Sequence, residues 1–119
     1  MRENSVFLKI PAKKKYLSLA RLTLSGMAIG ERVSIEDLED VQVLVTESCN
    51  LSFKLGAKDL ISIEMSLDEG AYSFSVDGID PEQLQTNDEV YMTSLIIDSL
   101  ADRVEYKEGA IFVTKELVD

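Results

Sequence analysis

Histidine is absent and cysteine occurs once, and these two shortages remove much of the chemistry open to small enzymes. Without imidazole there is no His general base, no His metal ligand and no Ser-His or Cys-His nucleophile pair. Cys49 alone can form neither an intrachain disulfide nor a CxxC metal or redox site, which fits a reducing compartment. Long apolar runs are lacking too. Met1-Arg2-Glu3-Asn4-Ser5 leads only into Val6 to Leu8 before Lys9 interrupts, too short for a signal peptide. Nothing later approaches the ~18 apolar residues of a membrane span. A cytoplasmic location without membrane contact is therefore expected. No internal repeat, low-complexity run or linker divides the chain, and 119 residues suffice for one domain, residues 1–119, built on a single core.

Basic residues are the next shortage, 12 Lys and Arg against 22 Asp and Glu, a formal charge of −10. They are also unevenly placed. Residues 1–30 hold Arg2, Lys9, Lys13, Lys14, Lys15 and Arg21 against Glu3, whereas the remainder is strongly acidic. An acidic body would repel a polyanion, so direct binding of nucleic acid is not expected. Lys13-Lys14-Lys15 reads either as the solvated first turn of a helix or as a basic patch for an acidic protein partner.

What is present is a clear alternation of periods. Val6, Leu8 and Ile10 alternate with Phe7 and Lys9 until Pro11 closes a first strand. Tyr16, Leu19, Ala20, Thr23, Leu24 and Met27 then recur at helical spacing up to Gly30. Ser34 and Asp37 form a capping box, and Glu36, Asp37, Glu39 and Asp40 load the positive end of a long helix. Its buried side is predicted to be Ile35, Leu38, Val41, Leu44, Val45, Cys49, Ser52 and Leu55, with Gly56 as the stop. Ile61, Ile63, Met65 and Leu67, the turn Asp68-Glu69-Gly70, and Tyr72, Phe74 and Val76 make a hairpin with one dry face. A loop over Gly78 to Asp88 follows. A third helix is predicted over Val90 to Ala101 around Leu95, Ile96, Ile97 and Leu100, and a last hairpin over Val104–Tyr106, Glu108-Gly109 and Ile111–Leu117. The order β-α-α-β-β-α-β-β predicts an α/β (α+β) two-layer sandwich: a mixed, mostly antiparallel sheet of about five strands with three helices on one face.

These residues carry a resemblance. Ile10-Pro11-Ala12, Ala20-Arg21-Leu22-Thr23, Ile35-Glu36-Asp37-Leu38-Glu39-Asp40-Val41, Val45-Thr46-Glu47-Ser48-Cys49, Ile79-Asp80-Pro81-Glu82 and Leu100-Ala101-Asp102-Arg103-Val104-Glu105-Tyr106 fall in the order seen in bacterial anti-sigma factor serine kinases. The chain resembles that family over nearly its whole length. The resemblance implies the histidine-kinase-like ATPase (Bergerat) fold, often dimeric, which binds Mg-ATP, sequesters a sigma factor and phosphorylates a serine on an antagonist protein.

The family's nucleotide motifs match only in fragments. A Glu-x-x-x-Asn pair on the long helix would supply an activating carboxylate and a magnesium-holding amide. Glu47 matches the first, but Leu51 stands at the second. Asn50 lies one residue earlier, about 100° around the helix, and serves only if the helix is rotated or bulged there. The plain readings are a charged residue at the helix margin for Glu47 and a solvent-facing or locally bonded side chain for Asn50. The family's Asp-x-Gly-x-Gly loop is shortened to Asp77-Gly78-Ile79-Asp80, with Asp77 in the adenine-reading position. The second glycine loop falls on Tyr91-Met92-Thr93, where a Tyr opposes a phosphate cradle, and the adenine-flanking Gly-Thr reads Gly109-Ala110.

The expectation is accordingly an anti-sigma-factor-like regulator without a working cofactor, whose partner is a sigma factor or its antagonist. The resemblance places Arg21, in its Ala-Arg-x-Thr context, on the partner-binding surface, and Lys13, Lys14 and Lys15 extend that basic end. Arg21 reads otherwise as a helix-surface arginine with a packed stem. Two alternatives remain: an active ATP-dependent serine/threonine kinase using Glu47 with Asn50, Asp77 and Gly78, and a structural homodimer or scaffold joined through the wet sheet face or first strand.

Overall fold

The computed structural model describes residues 4–118. Arg2 and Glu3, part of the charge tally above, lie outside them. The chain runs β1 (Ser5–Pro11), a 3-10 turn (Lys14–Tyr16), α1 (Leu17–Met27), α2 (Ile35–Leu55), β2 (Leu60–Asp68), β3 (Ala71–Asp77), a 3-10 turn (Pro81–Gln83), α3 (Asp88–Leu100), β4 (Arg103–Lys107) and β5 (Ala110–Glu116). The five strands form one sheet in the order β1-β2-β3-β5-β4.

The sheet expected to be mixed is antiparallel at every pairing. The physical reason lies in α3. It returns the chain parallel to β3, but β5 inserts between β3 and β4, so the two parallel strands never become neighbours. Register follows alternation. Ile61, Ile63 and Met65 of β2, Tyr72, Phe74 and Val76 of β3, and Ile111 and Val113 of β5 are all buried on the helix side. Ser62, Glu64, Ser73, Ser75 and Phe112 take the opposite, wetter face by the same period of two.

Of the helices, α2 has the clearest boundaries. The Ser34 hydroxyl accepts a hydrogen bond from the Asp37 amide at 3.1 Å, and Gly56 ends the helix at φ +65°. Both terminal signals were legible, since the hydroxyl satisfies an orphan N–H and glycine enters the left-handed region without a Cβ penalty. Both α1 and α3 pack against α2. Val41, Leu44, Val45, Cys49 and Leu51 of α2 are fully buried, each full burial of a large apolar side chain contributing on the order of 2 kcal/mol. Tyr72 reaches from β3 to donate to the Leu24 carbonyl at 2.8 Å, fastening sheet to α1.

Three expectations are corrected. The predicted buried set of α1 is out of phase at Leu19, which is exposed, while Leu17 is buried beside Ala20 and Leu24. Leu17, Ala20 and Leu24 share one face, whereas Leu19 stands about 140° around the helix from Leu24. Ile35, at the first turn of α2, projects 74% exposed. In α3, Leu95 and Ile96 are each 40% exposed and the buried positions are Val90, Thr93, Ser94 and Ile97. Small polar residues serve there because α3 lies close against α2. Among the described residues no helix is long and apolar enough to cross a membrane.

Candidate functional site

Two neighbouring regions of α2 hold the residues singled out from the sequence. On the α1 side, Arg21 is half-buried and its Nη1 donates to Thr46 Oγ1 at 3.0 Å. Gln42 closes the same junction, with Nε2 donating to the Arg21 carbonyl at 3.2 Å and to Ser25 Oγ at 2.9 Å. Arg21, Glu39, Gln42, Val43, Thr46 and Glu47 line an open hollow of about 340 Å³. The arginine and the glutamate that the resemblance assigns to separate tasks therefore border one depression. Beneath it Cys49 is buried, and burial pushes its thiol up to about 12, only partly opposed by Arg21. A thiol so placed is a packing group rather than a nucleophile.

Lys13, Lys14 and Lys15 are exposed ahead of α1. They form the entry and first residues of the 3-10 turn, not the first turn of an α-helix. Lys15 lies 5.1 Å from the centre of the Tyr16 ring, which holds its stem against the surface.

On the α3 side, the residues in nucleotide-motif positions are engaged with one another and with α2. The helix runs unbroken from Ile35 to Leu55, so no bulge rotates Asn50 into the place of Leu51. Leu51 is wholly buried in the core. Asn50 sits three residues beyond Glu47, about 60° around the helix, and its Oδ1 is shielded with no hydrogen-bond partner among the described residues. Asp77 ends β3 with its carboxylate filled: Oδ1 accepts from the Ser62 amide at 2.8 Å and Oδ2 pairs with Lys58 Nζ at 3.0 Å. Its carbonyl accepts from Ser52 Oγ at 2.8 Å. Gly78 follows at φ +78°, buried against α2 so closely that a Cβ would stand 2.6 Å from Ser52 Oγ.

The segment Tyr91-Met92-Thr93 lies in the first half of α3. Tyr91 and Met92 face outward, while Thr93 is buried, donates to the Glu89 carbonyl at 3.0 Å and accepts from Lys54 Nζ at 2.8 Å. Lys54 also stands 3.5 Å from the Glu89 carboxylate. Gly109 turns β4 into β5 and its carbonyl accepts from the Ile79 amide at 3.1 Å, with Ala110 buried beside it. No cluster of His, Cys, Asp and Glu fit to hold a metal occurs among the described residues. Lys54 and Lys58 were not singled out from sequence, and Ser52 was read only as part of the buried side of α2. The available signal was position alone, since Ser52 and Lys54 follow the Glu47 motif on the same helix and Lys58 lies just past its glycine stop.

The chain is 29% identical over 103 residues to the serine-protein kinase RsbW of Bacillus velezensis, covering 80% of the chain and 64% of that protein. It is 27% identical over 112 residues to RsbW of Bacillus subtilis, covering 86% of the chain and 70% of that protein. The chain thus spans about two thirds of the length of these relatives. A crystal structure of the RsbU and RsbW domains of a Mycobacterium tuberculosis protein superposes with a TM-score of 0.68 at 16% identity, over 95% of this chain and 32% of that one. No family model matches the chain. The fold is shared with the RsbW domain of that structure. In sequence the chain is similar to these RsbW serine-protein kinases.

Proposed function

We propose that the protein is a cytoplasmic anti-sigma-type regulator that binds a sigma factor or its antagonist through α1 and does not bind Mg-ATP productively or transfer phosphate. The observation that carries the reading is Leu51. The position that would present a magnesium-holding amide is occupied by a leucine sealed in the core, on a helix whose register is unbroken. The residues around it do not fit the cofactor either. Asp77 already accepts from Ser62 and Lys58, Gly78 lies against Ser52, and Thr93 accepts from Lys54. A phosphoryl-transfer site works by positioning phosphates and neutralising their charge, so lacking both the metal amide and the glycine cradle removes most of the stabilisation such a site supplies.

The docking surface is the basic end: Arg21 at the α1–α2 junction, with Lys13, Lys14 and Lys15 exposed at the entry to α1. Opposite charge on a partner would steer association and make it salt-sensitive. Calorimetric titration with Mg-ATP and a turnover assay test the first half; low-micromolar binding with measurable turnover overturns it. Affinity capture from native lysate with wild type and Arg21→Glu tests the second. A sigma factor or antagonist recovered by wild type and lost in the variant supports it, and identical recovery overturns it.

A further inference from the structure

We propose that the outward face of α3 is a docking surface for an amphipathic helix of another protein, one whose apolar side is bordered by lysine or arginine. α3 is amphipathic the wrong way round. Its buried positions are Val90, Thr93, Ser94 and Ile97, two of them small and polar, whereas Tyr91, Met92, Leu95 and Ile96 are 43%, 57%, 40% and 40% exposed. At about 100° per residue these four span roughly 140° of the helix, centred opposite its buried side. Tyr91 and Leu95, and Met92 and Ile96, each stand one turn apart, so the four make one stripe. A surface helix ordinarily gives that side to charged groups, and a contiguous apolar stripe with a polar rim marks a contact surface.

The rim selects the occupant. Every charged residue of α3 is acidic: Asp88 heads the stripe, and Glu89 and Asp98 border it on either side. Glu89 stands 3.5 Å from Lys54, but neither Asp88 nor Asp98 has an ion-pair partner among the described residues. Asp88 and Tyr91, with Gln85 and Asn87, also line a hollow of about 190 Å³ at that end. A second copy of the chain fits poorly. Packing the stripe antiparallel on itself would bring Asp98 of each copy toward Glu89 of the other, between chains that each carry a formal charge of −10. A helix with basic borders meets the same stripe with opposite charge, adding electrostatic steering to apolar anchors at i, i+3 and i+4 spacing. The charge selected here is opposite to that favoured by the basic end at Arg21, so this is a separate surface from the one proposed above.

Amide chemical-shift mapping on the full chain tests the surface with two synthetic helices of about 18 residues, identical in a leucine stripe and bordered in one by lysine and in the other by glutamate. The lysine-bordered helix is expected to shift amides across residues 88–99 and to bind about tenfold more tightly than the glutamate-bordered one. Met92→Ser and Leu95→Ser are each expected to weaken its binding by about tenfold, with the amide spectrum away from α3 unchanged. Asp98→Lys is expected to narrow the preference between the two helices. The proposal is overturned if neither helix binds, if both bind equally, if the shifts fall on other surfaces, or if Met92→Ser and Leu95→Ser both bind as wild type does. Light scattering that finds a dimer dissolved by Leu95→Ser also overturns it, in favour of a second copy. Phosphate turnover, or partner capture indifferent to Arg21, would bear on the functional reading alone.

Discussion

Single residues carry the proposed loss of nucleotide chemistry. Restoring the family amide by Leu51→Asn would put an unpaired polar group into a dry core, and is expected to cost about 3 kcal/mol of stability without creating magnesium-dependent nucleotide binding. Urea denaturation gives the first quantity and calorimetry the second. Gly78→Ala is expected to destabilise by about 1–3 kcal/mol, since φ +78° and the approach to Ser52 both oppose a Cβ. Pairing it with Ser52→Ala should recover part of that loss, because the two sites share one contact. Cys49 should resist a thiol reagent at pH 8 in the native protein and react at once in denaturant, its thiol being pushed up to about 12 by burial.

Elements were readable where local chemistry fixes them. The boundaries of α2 follow from Ser34 and Gly56, and Ser34→Ala is expected to cost about 1 kcal/mol in a thermal or urea melt. Both hairpin turns follow from residues with positive φ, Glu69-Gly70 and Glu108-Gly109. The buried faces of α1 and α3 were less readable. Leu19 of α1 falls off the face that Leu17, Ala20 and Leu24 share, and α3 seats Thr93 and Ser94 against its neighbours while leaving Leu95 and Ile96 partly in water. Periodicity reports which side of a helix is apolar. It does not report how closely the next helix approaches, and that distance selects small residues over large ones.

For the molecule as a whole, three weak acids of raised pKa, Cys49, Tyr72 and the partly buried Tyr106, predict sensitivity to alkali. Cys49 is raised from 9.0 to about 12, first by burial. Tyr72 and Tyr106 are raised from 10.0 to about 12, again chiefly by burial, with Glu31 and Asp98 respectively adding repulsion. Each group is neutral in the fold and ionises more readily when unfolded. Their stabilising effect is complete below about pH 9 and is lost as pH climbs toward 12. The urea midpoint should fall over that window, and Cys49→Ala should flatten its lower part. Partner affinity should weaken with added salt, since the basic end is exposed and the rest of the chain acidic.

The sequence by itself determined the order of elements, the caps of α2, the dry face of the sheet and the lack of imidazole chemistry, because each depends on a residue's own conformational or chemical limits; the mismatch at Leu51 is what the resemblance implies. Only the tertiary structure decided that β5 would separate β3 from β4, that Glu47 would share a hollow with Arg21, and that Lys54 and Lys58 would meet Thr93 and Asp77. The side-chain pairings join residues from 19 positions apart, Lys58 and Asp77, to 39 apart, Lys54 and Thr93. No local period encodes them; they arise when helices and strands are laid against one core.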